Sequence, residues 1–146
     1  MGGNPEVGSI QVKKMNSDAK LPSKAHETDA GFDLYAEKYS SIPAGETKLI
    51  GTGIAMAIPR GYAGLIWDRS SMGVKGLHRF GGVIDSDYRG EIKVCIHNAS
   101  EESYTISEGH KIAQLIIQEV PSFFLREVDT LEETKRGGKG FGSSGI

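Results

Sequence analysis

The chain has 146 residues, 38% of them hydrophobic and 25% charged, which suits one domain with a modest core. A formal net charge of -2, with no long Lys/Arg run, excludes duplex nucleic acid as an expected partner. Cys95 is the only cysteine, so no intrachain disulfide can form, and no apolar stretch approaches the length of a membrane span.

The amino terminus carries neither the basic nor the apolar region of a signal peptide, so a soluble intracellular protein, cytoplasmic or nuclear, is expected. From there the pattern is one of short strands. Alternation in residues 9–14 (SIQVKK) and 32–37 (FDLYAE) predicts two of them, separated by a polar loop. Pro43 and Gly45 mark a turn, and 46–59 reads as two strands meeting near Gly51 and Gly53. A second turn at Pro59 and Gly61 leads into YAGLIWD, where Trp67 reads as a core residue. Residues 69–76 (RSSMGVKG) form the one short helix expected, with Ser70 or Ser71 as its cap and Gly73 and Gly76 limiting its length. LHRFGGVI, EIKVCIHN, SYTIS, KIAQLIIQEV and SFFLREV follow as further strands, Cys95 being read as a buried small hydrophobe. Asn98-Ala99-Ser100 reads as a turn after a strand, and LEETKR has only a weak helical pattern. Twenty glycines, roughly twice the usual share, punctuate these runs. The whole predicts an all-β sandwich, barrel or jelly roll.

The final stretch, RGGKGFGSSGI, has nothing to bury except Phe141. It fits either a solvated tail or a flap whose cations and backbone N–H groups close over an anion. GFGSSG matches G-x-G-x-x-G, but that fingerprint must follow a strand and open a helix, and one residue follows it here. Gly138-Lys139 lacks the following Ser or Thr of a P-loop, and the four histidines show no zinc-ligand spacing.

Arg69, Ser70 and Ser71 could hold phosphate oxygens, or the serines could simply cap the helix. Asp85 and Asp87 stand two apart in IDSDYRG, which fits a turn with solvated carboxylates. It also fits a proton acceptor, with Tyr88 beside a ligand and Arg89 holding the second carboxylate ionised.

Taken together and in order, five segments resemble the trimeric dUTP pyrophosphatase (dUTPase) family. They are AGFDLYA (30–36), DRSSMG (68–73), GGVIDSDYRG (81–90), GHKIAQ (109–114) and RGGKGFGSSG (136–145), and the resemblance runs from about residue 9 to the end. It implies a β jelly roll or distorted barrel over 1–125, with 1–8 flexible, and a C-terminal arm and flap over 126–146. It implies Mg2+-assisted hydrolysis of dUTP to dUMP and pyrophosphate, which limits uracil incorporation into DNA and supplies dUMP for thymidylate synthesis. The enzyme would be a homotrimer whose active sites draw on all three subunits, with no membrane or nucleic-acid partner.

On this resemblance Asp85 is the general base that deprotonates the attacking water. Gly82, Val83 and Ile84, with Lys93, form the hairpin that pairs with uracil, and Tyr88 lies under the deoxyribose. Asp87 shapes the turn. Arg69, Ser70 and Ser71 bind phosphate, Gln114 contacts the α-phosphate region, and Asp33 supports the metal through its water shell. Arg79 is a further substrate contact. In the flap, Phe141 and Gly142 cover uracil while Arg136, Ser143 and Ser144 grip the γ-phosphate.

The chain departs from the family pattern at several positions: Asp68 stands where proline is usual, Ser71 where glycine is, Lys111 where arginine is common, Lys139 in place of a flap glycine, and Ser144 in place of threonine. The Arg-Ser-Ser order also occurs in dCTP deaminase, a relative of the same fold. That enzyme needs a glutamate ten residues beyond the aspartate, where this chain has Cys95. A non-catalytic nucleotide-sensing trimer is the alternative of a different class.

Overall fold

A computed structural model describes residues 7–142 together with 144 and 145. Most of the flexible amino terminus expected from sequence, and the phosphate contact expected of Ser143, lie outside the described residues. The elements are β1 (Gln11–Lys14), β2 (Phe32–Tyr35), β3 (Ser40–Ile42), β4 (Thr47–Gly51), β5 (Ile54–Ala57), β6 (Tyr62–Trp67), α1 (Ser70–Val74), β7 (Leu77–Arg79), β8 (Val83–Ile84), β9 (Lys93–Asn98), β10 (Tyr104–Ile106) and β11 (Lys111–Glu119).

All pairings between these strands are antiparallel. One sheet runs β2-β11-β6-β8 and another β4-β9-β7, with β1 paired to β5 and β10 to β3. Inward residues alternate with outward ones, as in β9, where Val94, Ile96 and Asn98 are buried between Lys93, Cys95 and His97. Leu34, Ile54, Leu77, Ile96, Ile106 and Leu115, contributed by strands of every sheet, are nearly inaccessible to solvent and close one core. This is the expected all-β jelly-roll architecture with a single short helix.

Several local expectations are corrected. LHRFGGVI is not one strand. Gly81 and Gly82 adopt φ of 69° and 107°, which break it into β7 and β8. SFFLREV forms no strand: it pairs with no other segment among the described residues, whose regular structure ends at Glu119. LEETKR forms no helix. The residue before α1 is Arg69, with no side-chain capping bond, so neither serine caps the helix. Trp67 is half-exposed rather than core, and Cys95 is only partly buried, because both lie on outward faces of their strands.

Asn98-Ala99-Ser100 is the turn expected, and the Asn98 side chain is wholly buried within it. Among the described residues no helix is long and apolar enough to cross a membrane.

Candidate active site

The candidate residues fall into two groups at opposite ends of β6. The first gathers around Asp33 on β2. Across the sheet, Gln114 of β11 is paired with both Asp33 and Trp67. Lys111 is three residues from Gln114, a spacing that in a regular strand puts side chains on opposite faces. A register shift between Lys111 and Ala113 changes this: Lys111 pairs with Tyr35 and Gln114 with Asp33, so the bulge turns both toward the same side. Lys111 Nζ then lies 3.3 Å from Asp33 Oδ2, and Arg69 Nε lies 3.7 Å from Asp33 Oδ1.

Arg69 Nη1 also donates to the Lys111 carbonyl at 3.4 Å, and Gln114 Nε2 donates to the Asp68 carbonyl at 2.9 Å. Ser70 and Ser71 open α1 with exposed side chains. The result is a surface with two cations, an amide and two hydroxyls around one carboxylate, suited to an oligophosphate.

The second group surrounds a cavity of about 300 Å³ lined by Leu49, Val83, Ile84, Asp85, Tyr88, Glu91 and Lys93. β8 is the last strand of its sheet. Val83 and Ile84 pair with Leu65 and Gly64 of β6 on one side, and the other backbone edge is open. Gly82 starts this edge strand, its carbonyl accepting from Ile66 N–H at 2.8 Å. The chain then turns through Asp85 and Tyr88, where Tyr88 N–H donates to the Asp85 carbonyl at 3.1 Å.

Tyr88 Oη donates to the Glu91 carbonyl at 2.7 Å, folding the ring over Gly90. A Cβ at residue 90 would stand 2.6 Å from that hydroxyl, so glycine here leaves room for the Tyr88 ring. Asp85 is exposed at the cavity, and among the described residues its carboxylate has no ion-pair partner. Arg89 does not hold a carboxylate. Its Nη1 donates to the Ser86 and Tyr88 carbonyls and stiffens the turn instead.

Arg79 sits with the first group rather than beside Asp85. Its guanidinium lies 4.8 Å from the Trp67 ring centroid, and Nη1 donates to the Gly81 carbonyl at 3.1 Å. The described residues of the tail make no hydrogen bond or ion pair with either group. Arg136 Nε donates to the Lys139 carbonyl at 2.8 Å within a local turn, and Phe141, with φ of 48°, is fully exposed together with Gly142 and Ser144.

Leu49 and Glu91 line the cavity without having been singled out in the sequence, because pairing of β4 with β9 brings Leu49 beside Lys93 and Cys95. Lys111 stood out only as a departure from the family pattern.

The two groups are well separated. Ile84 pairs with Gly64, so Asp85 continues toward the level of Ala63, six residues before Arg69. At the roughly 3.3 Å rise of a strand the four steps from Ala63 to Trp67 cover about 13 Å, and Arg69 lies beyond the end of β6.

Among the described residues no three His, Cys, Asp or Glu side chains cluster as metal ligands. Asp33, already flanked by two cations, fits a hard ion brought by a polyphosphate and met through water better than one held in a protein cage.

The dUTPase family profile matches residues 17–145. The chain is 42% identical over 150 aligned positions to the deoxyuridine 5'-triphosphate nucleotidohydrolase of Corynebacterium jeikeium, covering 98% of this chain and 97% of that one. It is 42% identical over 137 positions to the same enzyme of Camelpox virus, covering 94% and 93%. The dUTPase of Staphylococcus bacteriophage 80alpha, solved with dUpNHpp, superposes with a TM-score of 0.91 at 32% identity over 96% of this chain and all of that one. A variant dUTPase from S. aureus phage phi11, whose structure concerns coordination of a structural Mg(II) ion, gives 0.81 at 28% identity over 86% of this chain. The chain therefore belongs to the dUTPase family, the enzymes that hydrolyse dUTP to dUMP and pyrophosphate.

Proposed function

We propose that Asp85 is the general base of this reaction. It accepts a proton from a water that attacks the α-phosphorus in line and expels pyrophosphate. The observation that carries this reading is the contrast between two carboxylates: Asp33 is engaged by Arg69 and Lys111, whereas Asp85 stands free at the rim of the cavity.

Uracil pairs with the open backbone edge from Gly82 to Ile84, beside Lys93. Fixed main-chain donors and acceptors of this kind reject cytosine, whose pattern is reversed and would leave them unpaired. The Tyr88 ring, held by its hydroxyl, lies under the deoxyribose and leaves no room for a 2′-hydroxyl. Arg69, Ser70, Ser71 and Gln114 receive the phosphates, with Arg79 supporting them from the Trp67 side. Phe141 and Gly142 of the flap cover the base, and Arg136, Ser143 and Ser144 reach the terminal phosphate.

Mg2+, when bound with the triphosphate, neutralises phosphate charge, and Asp33 would hold part of its water shell.

The placement of Asp85 and the Arg69 group at opposite ends of β6 supports a shared site, with the base and sugar on one copy and the phosphates on another. The fully exposed tail fits a flap lent to a neighbour, giving a homotrimer with three composite sites.

Pyrophosphate release from dUTP, with dCTP and dTTP as controls, tests this reading. Asp85→Asn is expected to lose at least about a thousandfold in kcat while retaining affinity for dUpNHpp, in line with loss of a general base. Turnover of the variant equal to that of the parent would remove Asp85 from the role.

A further inference from the structure

The segment that would hold the phosphates is short and exposed, and its own contacts are long: Arg69 reaches Asp33 at 3.7 Å and the Lys111 carbonyl at 3.4 Å. Such contacts do not by themselves fix a guanidinium. Its main chain is held far more firmly, and by one residue.

Asp68 stands between Trp67, the last residue of β6, and Arg69. Its Oδ1 accepts from the Arg79 backbone N–H at 2.8 Å, its Oδ2 lies 2.5 Å from His78 Nδ1, and its carbonyl accepts from Gln114 Nε2 at 2.9 Å. One residue therefore ties the exit of β6 to β7 on one side and to β11 on the other. His78 is itself oriented. Its ring meets Phe80 edge-on at 5.8 Å, and Phe80 stacks on His97 at 5.1 Å. His97 Nδ1 is in turn 2.9 Å from Thr47 Oγ1. Beside this, the Arg79 guanidinium over Trp67 makes a second cross-strand clip at the neighbouring residue. Both carboxylate oxygens of Asp68 are directed at β7, so its negative charge faces that strand.

We propose that Asp68 is a positioning residue for triphosphate recognition. Its bonds to His78, to Arg79 N–H and to Gln114 set the backbone from which Arg69, Ser70 and Ser71 project. This rests on the reading that those three residues receive the phosphates. A proline at this position would restrict the same turn covalently. Here two of the three bonds come from the carboxylate, so Asp68→Ala removes those two and leaves the bond from Gln114 to the main-chain carbonyl.

Four measurements on the full-length protein test this. First, amide hydrogen exchange at Met72 and Gly73, whose N–H groups bond the Arg69 carbonyl, should quicken about tenfold in Asp68→Ala, the order expected for losing one or two charge-assisted hydrogen bonds. Second, KM for dUTP should rise about tenfold with kcat changed less than about threefold, while inhibition by deoxyuridine, which lacks phosphates, is unchanged. Third, in an Arg69→Ala background Asp68→Ala should add little, because its effect is transmitted through Arg69. Fourth, Asp68→Asn, which retains an acceptor for Arg79 N–H, should fall between parent and alanine variant.

Parental exchange and KM in Asp68→Ala would overturn the proposal, as would an equal loss of dUpNHpp affinity with and without Arg69. If Asp68→Ala does not fold, Asp68→Asn and His78→Gln carry the same comparisons. A parent chain that fails to hydrolyse dUTP would overturn the functional reading instead. The exchange rates and the binding of inorganic triphosphate would then still decide whether Asp68 sets this turn.

Discussion

Asn98 shows how a single polar side chain can be buried without loss. Its Nδ2 donates to the carbonyls of Ile42 and Glu102 at 2.9 and 2.8 Å, and its Oδ1 accepts from Ser100 N–H and Oγ at 3.0 and 2.6 Å. Both amide donors and both acceptor positions are thus used, which is the full capacity of the group. The amide joins the end of β9 to the end of β3 and to the following turn. Truncation removes the buried donor to the Ile42 carbonyl and the acceptor of Ser100 N–H, while the Glu102 carbonyl keeps Ser100 Oγ at 3.0 Å. Asn98→Ala is expected to lower stability by about 3 kcal/mol, which corresponds to a melting temperature roughly 10 °C lower. Denaturant titration and thermal melting check this. KM for dUTP, measured well below the transition, should remain that of the parent, because Asn98 touches neither half of the site.

Among the elements, β8 has only two residues, and its open backbone edge is where we propose that the base is read. Gly82 sets its entry with φ of 107°, and a Cβ there would stand 3.1 Å from the Ile66 carbonyl oxygen. Gly82→Ala is therefore strained by about 1–2 kcal/mol and pushes the hairpin off β6. The expected outcome is a melting temperature lowered by roughly 5 °C and a KM for dUTP raised about tenfold. Gly45 is the matched control. Its φ is 77° with open space around the missing Cβ, so Gly45→Ala should cost similar stability and leave KM unchanged.

The same elements show what is legible in a sequence and what is not. Alternation in FDLYAE and the apolar run of YAGLIWD announce β2 and β6, because burial on one face dictates that pattern. The split of LHRFGGVI into β7 and β8 is hidden, since apolar residues continue through it and only the backbone angles of Gly81 and Gly82 break it. SFFLREV reads as a strand on composition, yet a strand exists only where an edge pairs with it, and this segment is paired with none among the described residues. The site is legible where its residues are close in sequence, as from Gly82 to Tyr88. Leu49 enters the cavity by strand pairing over a distance that no local pattern encodes, and Lys111 turns toward Asp33 only because of a bulge.

At the scale of the molecule, the chain carries two groups of candidate residues, read above as two half-sites, and an arm whose described residues bond to neither. Phe123, Phe124, Leu125 and Leu131 are almost wholly exposed beyond Glu119, as is Phe141. A contiguous series of large apolar side chains in water is costly unless another copy covers it. Composite sites make a sharp prediction. Arg69→Ala should damage the phosphate half and Asp85→Asn the catalytic half, so each homotrimer should be nearly inactive. When the two variants are co-expressed and assemble at random, a composite site is intact only if its phosphate half comes from the Asp85→Asn chain and its base from the Arg69→Ala chain. Equal mixing fills that condition in about one site in four, so the mixture should recover roughly a quarter of parental turnover if the assembly is a closed ring of shared sites. Separately purified variants, combined without subunit exchange, should recover none. Activity in the co-expressed sample no higher than in either variant alone would mean that each chain carries a complete site, and the separation along β6 would then have to be bridged within one subunit.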